Sequence, residues 1–402
     1  MNTTLSNTTP CMNIALVTET YLPEVNGVAI TLGRMVQGLR EQGHHIHMVR
    51  PRQGKQDVAA NTDHYSETLV SGMPIPGYPE LKSGLPAKGK LLKLWSAQRP
   101  DIVHIATEGP LGWSALSAAR KLGLPVSTDF HTNFQNYTQH YGIGLLKRPI
   151  SAYLRHFHNK ADCTLVPTTS LQRELEQDGY KNVLVVARGV DGALFNADKR
   201  DADLRASWGA DEHTTVVILV SRIAAEKNLG VVFDAFKQMQ AVDAQAKLVI
   251  VGDGPARAEL QKQHPEAIFS GMQIGEDLAR HYASGDIFLY PSLTETYGNV
   301  TIEAMASGLA TIAYDYAAAH QHMRHDVNGL LAPYGDTASF IKQAQGLISD
   351  KARVQRLREA ARVTVGALTW EHINGQLEAV LYDIARAPGD DHVRSEIAIA
   401  TD

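Results

Sequence analysis

The 402 residues are 44% hydrophobic and 20% charged, a balance that describes a soluble globular protein with more chain than one core usually holds, so two domains are expected. A net charge of −5 without any basic recognition motif argues against a nucleic-acid partner, and two cysteines, Cys11 and Cys163, exclude a disulfide framework and suit a reducing compartment. No apolar run nears the ~18 residues that cross a bilayer, and the polar start MNTTLSNTTPCMN lacks the basic and apolar regions of a signal peptide, so a cytoplasmic location is expected.

The charge is uneven. Residues 1–190 hold 19 Lys and Arg against 14 Asp and Glu, and the rest hold 19 against 29. A modestly basic first half suits an anionic membrane surface, touched peripherally, or an acidic acceptor.

In chain order, residues 1–11 read as disordered, being rich in Thr, Asn and Ser. Ile14 to Val17 form a short apolar run typical of a first parallel strand. A loop from Glu19 to Gly27 leads into a helix predicted over 28–42, with Val28, Leu32, Met35, Val36 and Leu39 on one face and Gly43 as its stop. Gly27 at the helix mouth is either a backbone device or a place where a phosphate approaches closely. His44, His45 and His47 bracket a second strand whose alternation turns some of them outward, which favours a structural role over a metal site. Pro and Gly make 73–86 a long loop. Lys88, Lys90, Lys93 and Trp95 then surround Leu91, Leu92 and Leu94, either as a solvated helix face or as a membrane-surface anchor.

Strands recur at 102–105, 125–129 and 163–167 with helical stretches between, the alternation of a doubly wound α/β domain. His131, in STDFHTNF, stands at a strand's carboxyl end, where such sheets bind ligands; Glu108 in ATEGPLG is a weaker candidate. After RGVDGALFNADK, which starts at Arg188, a second alternating half begins. A strand over 215–220 is followed by SRIAAEKNLG with Arg222 and Lys227, and a strand over 247–251 by GDGP, which lacks the third glycine of a dinucleotide fingerprint. His320, His322 and His325 cluster without acidic or cysteine partners in reach of the sequence pattern, and Asp201-Ala-Asp203 reads as solvated, so no metal site is expected. A helix over 370–386 and a loose tail from Pro388 close the chain.

The most informative stretch is Tyr290 to Gly308, YPSLTETYGNVTIEAMASG. A strand over 286–290 is ended by Pro291, and a helix over 299–307 by Gly308. Glu295 falls in the loop and Glu303 one turn into the helix. The N–H groups of Gly298, Asn299 and Val300 face the loop, where a phosphate could sit. Two carboxylates placed in this way suit hydroxyl groups at two ends of a nucleotide-sugar; solvated glutamates on an ordinary strand–loop–helix unit are the plain alternative.

With Ser292, Tyr297, Gly298, Ala304, Met305, Ala306 and Gly308 also in place, the stretch resembles the E-x7-E signature of the family-4 retaining glycosyltransferases. The resemblance extends over 12–386 and implies an α/β chain of the GT-B type, two Rossmann-like doubly wound parallel-sheet domains facing across a cleft. It implies an acceptor-binding domain over 12–190, a nucleotide-sugar domain over 191–365 and a helix within 366–386 that crosses back. The donor site it implies comprises Asn26, Gly27, Arg222, Lys227, Gly271, Met272, Gln273, Glu295, Tyr297, Gly298, Asn299, Val300 and Glu303, with His131, Glu295, Arg222 and Lys227 as the catalytic group and no metal or other cofactor. Arg222 and Lys227 would clamp the diphosphate, Gly271 to Gln273 meet the base, Glu303 hold the ribose, and Glu295 and His131 face the transferred sugar. Two departures stand out: Ser221 replaces the glycine of G-R-L-x-x-E-K-N, and Ala317 to Ala319 replace paired glycines beside the sugar. ATEGPLGWSA, STDFHTNF and RGVD look like bacterial GDP-mannose-dependent α-mannosyltransferases and related glycolipid synthases, which favours mannose from GDP onto a lipid-linked or glycolipid acceptor. A UDP-sugar donor with diacylglycerol or a soluble glycan, a nucleotide-sugar 2-epimerase, and a non-catalytic nucleotide-sugar binder are the alternatives.

Overall fold

The computed structural model describes residues 10–24, 26–75, 78–131 and 147–387. Of the loose ends expected at 1–11 and from Pro388, residues 1–9 and 388–402 lie outside these. Sixteen strands are described: β1 (Asn13–Val17), β2 (His45–Pro51), β3 (Asn61–Thr62), β4 (Tyr65–Val70), β5 (Gly72–Ile75), β6 (Tyr78–Gly84), β7 (Ile102–Ile105), β8 (Val126–Asp129), β9 (Cys163–Val166), β10 (Val183–Val185), β11 (Val216–Val220), β12 (Lys247–Val251), β13 (Ile268–Gly271), β14 (Ile287–Tyr290), β15 (Ala310–Tyr314) and β16 (Leu330–Ala332). Fourteen of them build two large sheets. The first runs β10-β9-β8-β7-β1-β2-β4-β3, parallel except for β3, and the second runs β13-β12-β11-β14-β15-β16, parallel throughout.

Strands such as VVILV, KLVIV and IFLY are buried along almost their whole length because helices cover both faces of a parallel sheet. In each sheet the strand order reverses once, between β1 and β7 in the first and between β11 and β14 in the second. Such reversals open the ligand crevices of α/β proteins, beyond the carboxyl ends of the strands.

The helix Trp370–Arg386 packs Ile373, Leu377 and Leu381 into the core that holds β1 and the helix Gly27–Glu41. The two helices approach so closely that a Cβ on Gly38 would lie 1.8 Å from Asn374 Nδ2. His44 is buried at this contact; its Nδ1 accepts from Met12 N–H and its Nε2 lies 3.0 Å from Glu378. The carboxylate that meets His44 therefore comes from the far end of the chain. Where the chain crosses between the sheets, Val190 N–H donates to Leu368 O at 2.8 Å.

One expectation changes, and one open choice narrows. Within the segment read as a long loop over 73–86, β5 and β6 pair as an antiparallel ribbon. In a two-stranded ribbon each strand is an edge, so Pro74 is tolerated in it. In the helix Lys88–Ala97, Leu91 and Trp95 are fully buried against the core around the helix Pro110–Leu122, so its apolar side is spent on folding while Lys88, Lys90 and Lys93 stay exposed.

Candidate functional site

The loop after β14 gathers the charged groups. Buried IFLY delivers the chain to Pro291, Gly298 turns it with φ +88°, and the helix Asn299–Ala306 starts there without a side-chain cap. Only glycine takes that φ without strain. Gly308, at φ +74°, follows the helix end as expected.

Within the loop, Glu295 Oε1 accepts hydrogen bonds from Lys227 Nζ, from Tyr290 Oη at 2.6 Å and from Ser292 Oγ at 2.6 Å. Lys227 follows β11 and Glu295 follows β14, so their ion pair spans the reversal point of the second sheet. Burial alone would push the Glu295 carboxyl up, but Lys227 and the two hydroxyls together hold it below its usual range. Glu295 is thus an anchored carboxylate with one oxygen fully engaged. Arg222, half-exposed, lies 3.6 Å from the buried carboxylate of Glu226.

Glu303 differs. It accepts one hydrogen bond, from Tyr282 Oη at 2.9 Å, and burial pushes its carboxyl up to about 7. Gly271, at φ +74°, ends β13; its carbonyl accepts from Gly252 N–H, Gln273 donates to Ser270 O, and Met272 is exposed. The GDGP glycines serve packing, since a Cβ on Gly254 would lie 2.3 Å from Ile223 O.

On the first sheet, Asn26 caps the helix Gly27–Glu41 by accepting from Ala29 N–H, and its amide donates to Thr20. That side chain is committed to the fold. Gly27 is exposed, and an added Cβ would meet nothing within 4 Å, so no packing contact demands glycine there.

Both ring nitrogens of His131 face charged groups. Arg188 Nη2 donates to Nδ1 at 3.1 Å, and Nε2 lies 2.9 Å from Asp129 Oδ2, though out of line for a hydrogen bond. Asp129 is fully buried; burial would raise its carboxyl, but His131 and His104 on either side hold it well below its usual range. The carbonyl of His131 accepts from Thr296 Oγ1 at 2.8 Å, and Tyr297 Oη contacts Arg188 O and His322 Nε2. The loops after β8 and β14 therefore meet.

The structure brings Lys227, Glu295 and Tyr297 together with His131 around this junction. Arg222 and Glu303 have separate partners in it. Sequence reasoning missed Asp129, Arg188, Tyr290, Thr296 and His322 as members; Ser292 was noted only as part of the motif. His320 pairs with Asp315, and His325 accepts from Leu331 N–H; among the described residues no group of three potential metal ligands occurs. Asp201, read as solvated, caps the helix Ala202–Ser207 and pairs with Arg280. Glu108 is buried against His158 at 3.3 Å. Ala317, where glycine was expected from the resemblance, has φ +53°, and Ala318 N–H donates to Tyr297 O.

Family models described as Glycosyltransferase Family 4 and Glycosyl transferases group 1 match residues 25–193 and 214–350. A GDP-mannose-dependent alpha-mannosyltransferase of Mycobacterium tuberculosis is 34% identical over 92% of this chain and 97% of its own. An alpha-monoglucosyldiacylglycerol synthase of Streptococcus pneumoniae is 29% identical over 75% of this chain and 71% of its own. Among solved structures, a sucrose-phosphate synthase from Thermosynechococcus elongatus superposes with a TM-score of 0.74 at 20% identity, over 92% of this chain and 98% of the other.

Proposed function

This chain belongs to glycosyltransferase family 4, and from that premise we propose that it moves mannose from GDP-mannose, with retained configuration, onto a lipid-linked or glycolipid acceptor. The observation that carries the site assignment is the Lys227–Glu295 pair across the second sheet's reversal point. Its cation stands where a leaving diphosphate gathers charge, beside a helix N-terminus that has no cap of its own. Its carboxylate keeps Oε2 for hydroxyls of the transferred sugar while Lys227, Tyr290 and Ser292 hold Oε1.

In the reaction the anomeric carbon–oxygen bond to the β-phosphate breaks, and the acceptor oxygen forms its bond on the same face. The departing phosphate oxygen takes the acceptor's proton. Arg222, Lys227 and the N–H groups at 298–300 stabilise the charge that develops on the phosphate, a role filled in other enzymes by a divalent metal. Glu303 is assigned to the ribose and residues 271–273 to the base. Residues 12–190 take the acceptor, and exposed Lys88, Lys90 and Lys93 give that half peripheral contact with an anionic membrane.

One assay tests this reading. Radiolabelled GDP-mannose is supplied with acceptor lipid in anionic or neutral vesicles, and the product linkage is read by NMR. We expect an α-linked product, activity that survives EDTA, and salt-sensitive preference for anionic vesicles. A β-linked product, loss with chelator restored by magnesium, or turnover of UDP-glucose instead would each overturn a named part.

A further inference from the structure

Arg188 lies just beyond β10, where the chain is about to leave the first sheet, and is 3% exposed. Its guanidinium and its carbonyl serve different sides of the cleft. Nη2 donates to His131 Nδ1 at 3.1 Å, on the loop after β8; the carbonyl accepts from Tyr297 Oη at 3.1 Å, on the loop after β14. A guanidinium can only donate, so Nδ1 of His131 is the acceptor and the ring proton sits on Nε2, turned towards Asp129. The main chain of His131 is then held as well, since its carbonyl takes the hydroxyl of Thr296, the residue between Glu295 and Tyr297. Three segments far apart in sequence thus meet at this one buried residue, through its side chain on one side and its carbonyl on the other.

We propose that Arg188 is a positioning residue: it sets the spacing between the His131 loop and the Glu295 loop, and through them the alignment of acceptor against donor sugar. Because Arg188 holds Nδ1 and Nε2 is buried facing Asp129, the ring cannot bond the sugar without turning away from one of them. The ring works as a strut, and Arg188 is what it rests on. Hydrogen bonds to a charged donor are the stronger kind and fix direction as well as distance. Lysine lacks the planar fork and reaches the ring nitrogen without the same directional hold.

This inference rests on the glycosyl-transfer reading, and the experiment separates the two. Arg188→Met, Arg188→Lys and His131→Ala are compared with the unaltered chain for kcat, donor KM and affinity for the free nucleotide by calorimetry. We expect Arg188→Met to lower kcat about ten- to hundredfold, nucleotide affinity to stay within about twofold, and Arg188→Lys to recover part of the loss. The Arg188→Met/His131→Ala double variant should lose no more than the worse single one. Losses that multiply, or nucleotide affinity that falls with kcat, would overturn the proposal. If Arg188→Met does not fold, Tyr297→Phe removes only the hydroxyl on the other side of the clamp, and an unchanged kcat there would overturn it equally. Should the unaltered chain show no transfer at all, the functional reading fails, yet hydrogen exchange still judges the clamp. Amides at 129–131 and 296–298 should speed up together in Arg188→Lys; acceleration on one side alone would refute it.

Discussion

The two sheets reverse their strand order in the same way, yet they treat the crevice at that point in opposite ways. In the first, between β1 and β7, the carboxylate of Glu19 lies on the N-terminus of the helix Pro110–Leu122: Oε1 accepts from Leu111 N–H at 2.9 Å and Oε2 from Ser83 at 3.2 Å. Gly109 makes room, since a Cβ there would lie 2.2 Å from Oε2. In the second, between β11 and β14, the corresponding helix starts at Gly298 with no side-chain cap, and the nearby carboxylate, Glu295, is turned onto Lys227. A helix N-terminus attracts an anion in either place. The first supplies that anion from its own chain. The second pairs an uncapped N-terminus with a cation, which on the proposed reading is the charge an incoming diphosphate meets. Topology offers two sites, and side-chain chemistry closes one.

The contrast is broken most severely at Lys227. Lys227→Ala removes the cation and leaves Glu295 buried against two hydroxyls alone. Removing one group that stabilises developing charge typically costs about 10²–10³ in rate, and a charge-assisted hydrogen bond lost from the ground state weakens binding about ten- to hundredfold. Both kcat and nucleotide affinity should therefore fall, read by turnover and calorimetry. If nucleotide binding survives intact, the diphosphate is held elsewhere and the second crevice loses its distinction.

How far this contrast was legible in the sequence follows from where each partner lies. The parallel strands could be read because burial on both faces makes them unbroken apolar runs, as in VVILV and IFLY. Glu295, Arg222 and Lys227 could be read because local motifs carry them. The ribbon over 72–84 could not, since Pro and Gly mark turns and free edges alike. Nor could the partners that long-range folding supplies: Glu378 for His44 comes from 334 residues away, Thr296 for the His131 carbonyl from 165, and Arg188 for its ring from 57. Asn26, read as a ligand contact, also has the spacing of a helix cap to Ala29, and its side chain makes that cap.

The two glutamates of the second crevice sharpen the comparison next. Glu295 is held ionised, so Glu295→Gln should lower kcat similarly across neutral pH and barely change binding of the free nucleotide. Glu303 titrates at about 7, above its ordinary 4.5, because burial disfavours its charge. Its raised value means that the folded state holds an extra proton between those values. The stability it contributes is complete below pH 4.5 and is lost as pH rises through about 7. Binding, on the proposed ribose assignment, runs the other way, since the hydroxyls need the carboxylate as acceptor. Nucleotide affinity should rise with pH through about 7 and stay flat in Glu303→Gln. That variant should bind about tenfold more weakly than the unaltered chain at pH 8 and nearly equally at pH 6. A flat profile in the unaltered chain would remove Glu303 from the ribose.

The smallest effect is expected at Glu19, and its smallness is the point. Burial raises its carboxyl above the usual range, with Leu111 N–H and Ser83 opposing. Glu19→Gln keeps an oxygen for Leu111 N–H and loses only the charge facing the helix N-terminus. Charges so placed are worth about 0.3–1 kcal/mol, and a lost cap about 1 kcal/mol, so the melting temperature should move by only a few degrees. Nucleotide affinity should stay within about twofold, because a helix end filled by the chain's own carboxylate has no place for a phosphate. If calorimetry instead finds a second nucleotide site in Glu19→Ala, where the carboxylate is gone, the plug is confirmed as what keeps the first crevice empty. If Glu19→Gln weakens nucleotide binding tenfold, the first crevice belongs to the donor site too, and the opposition between the two sheets collapses.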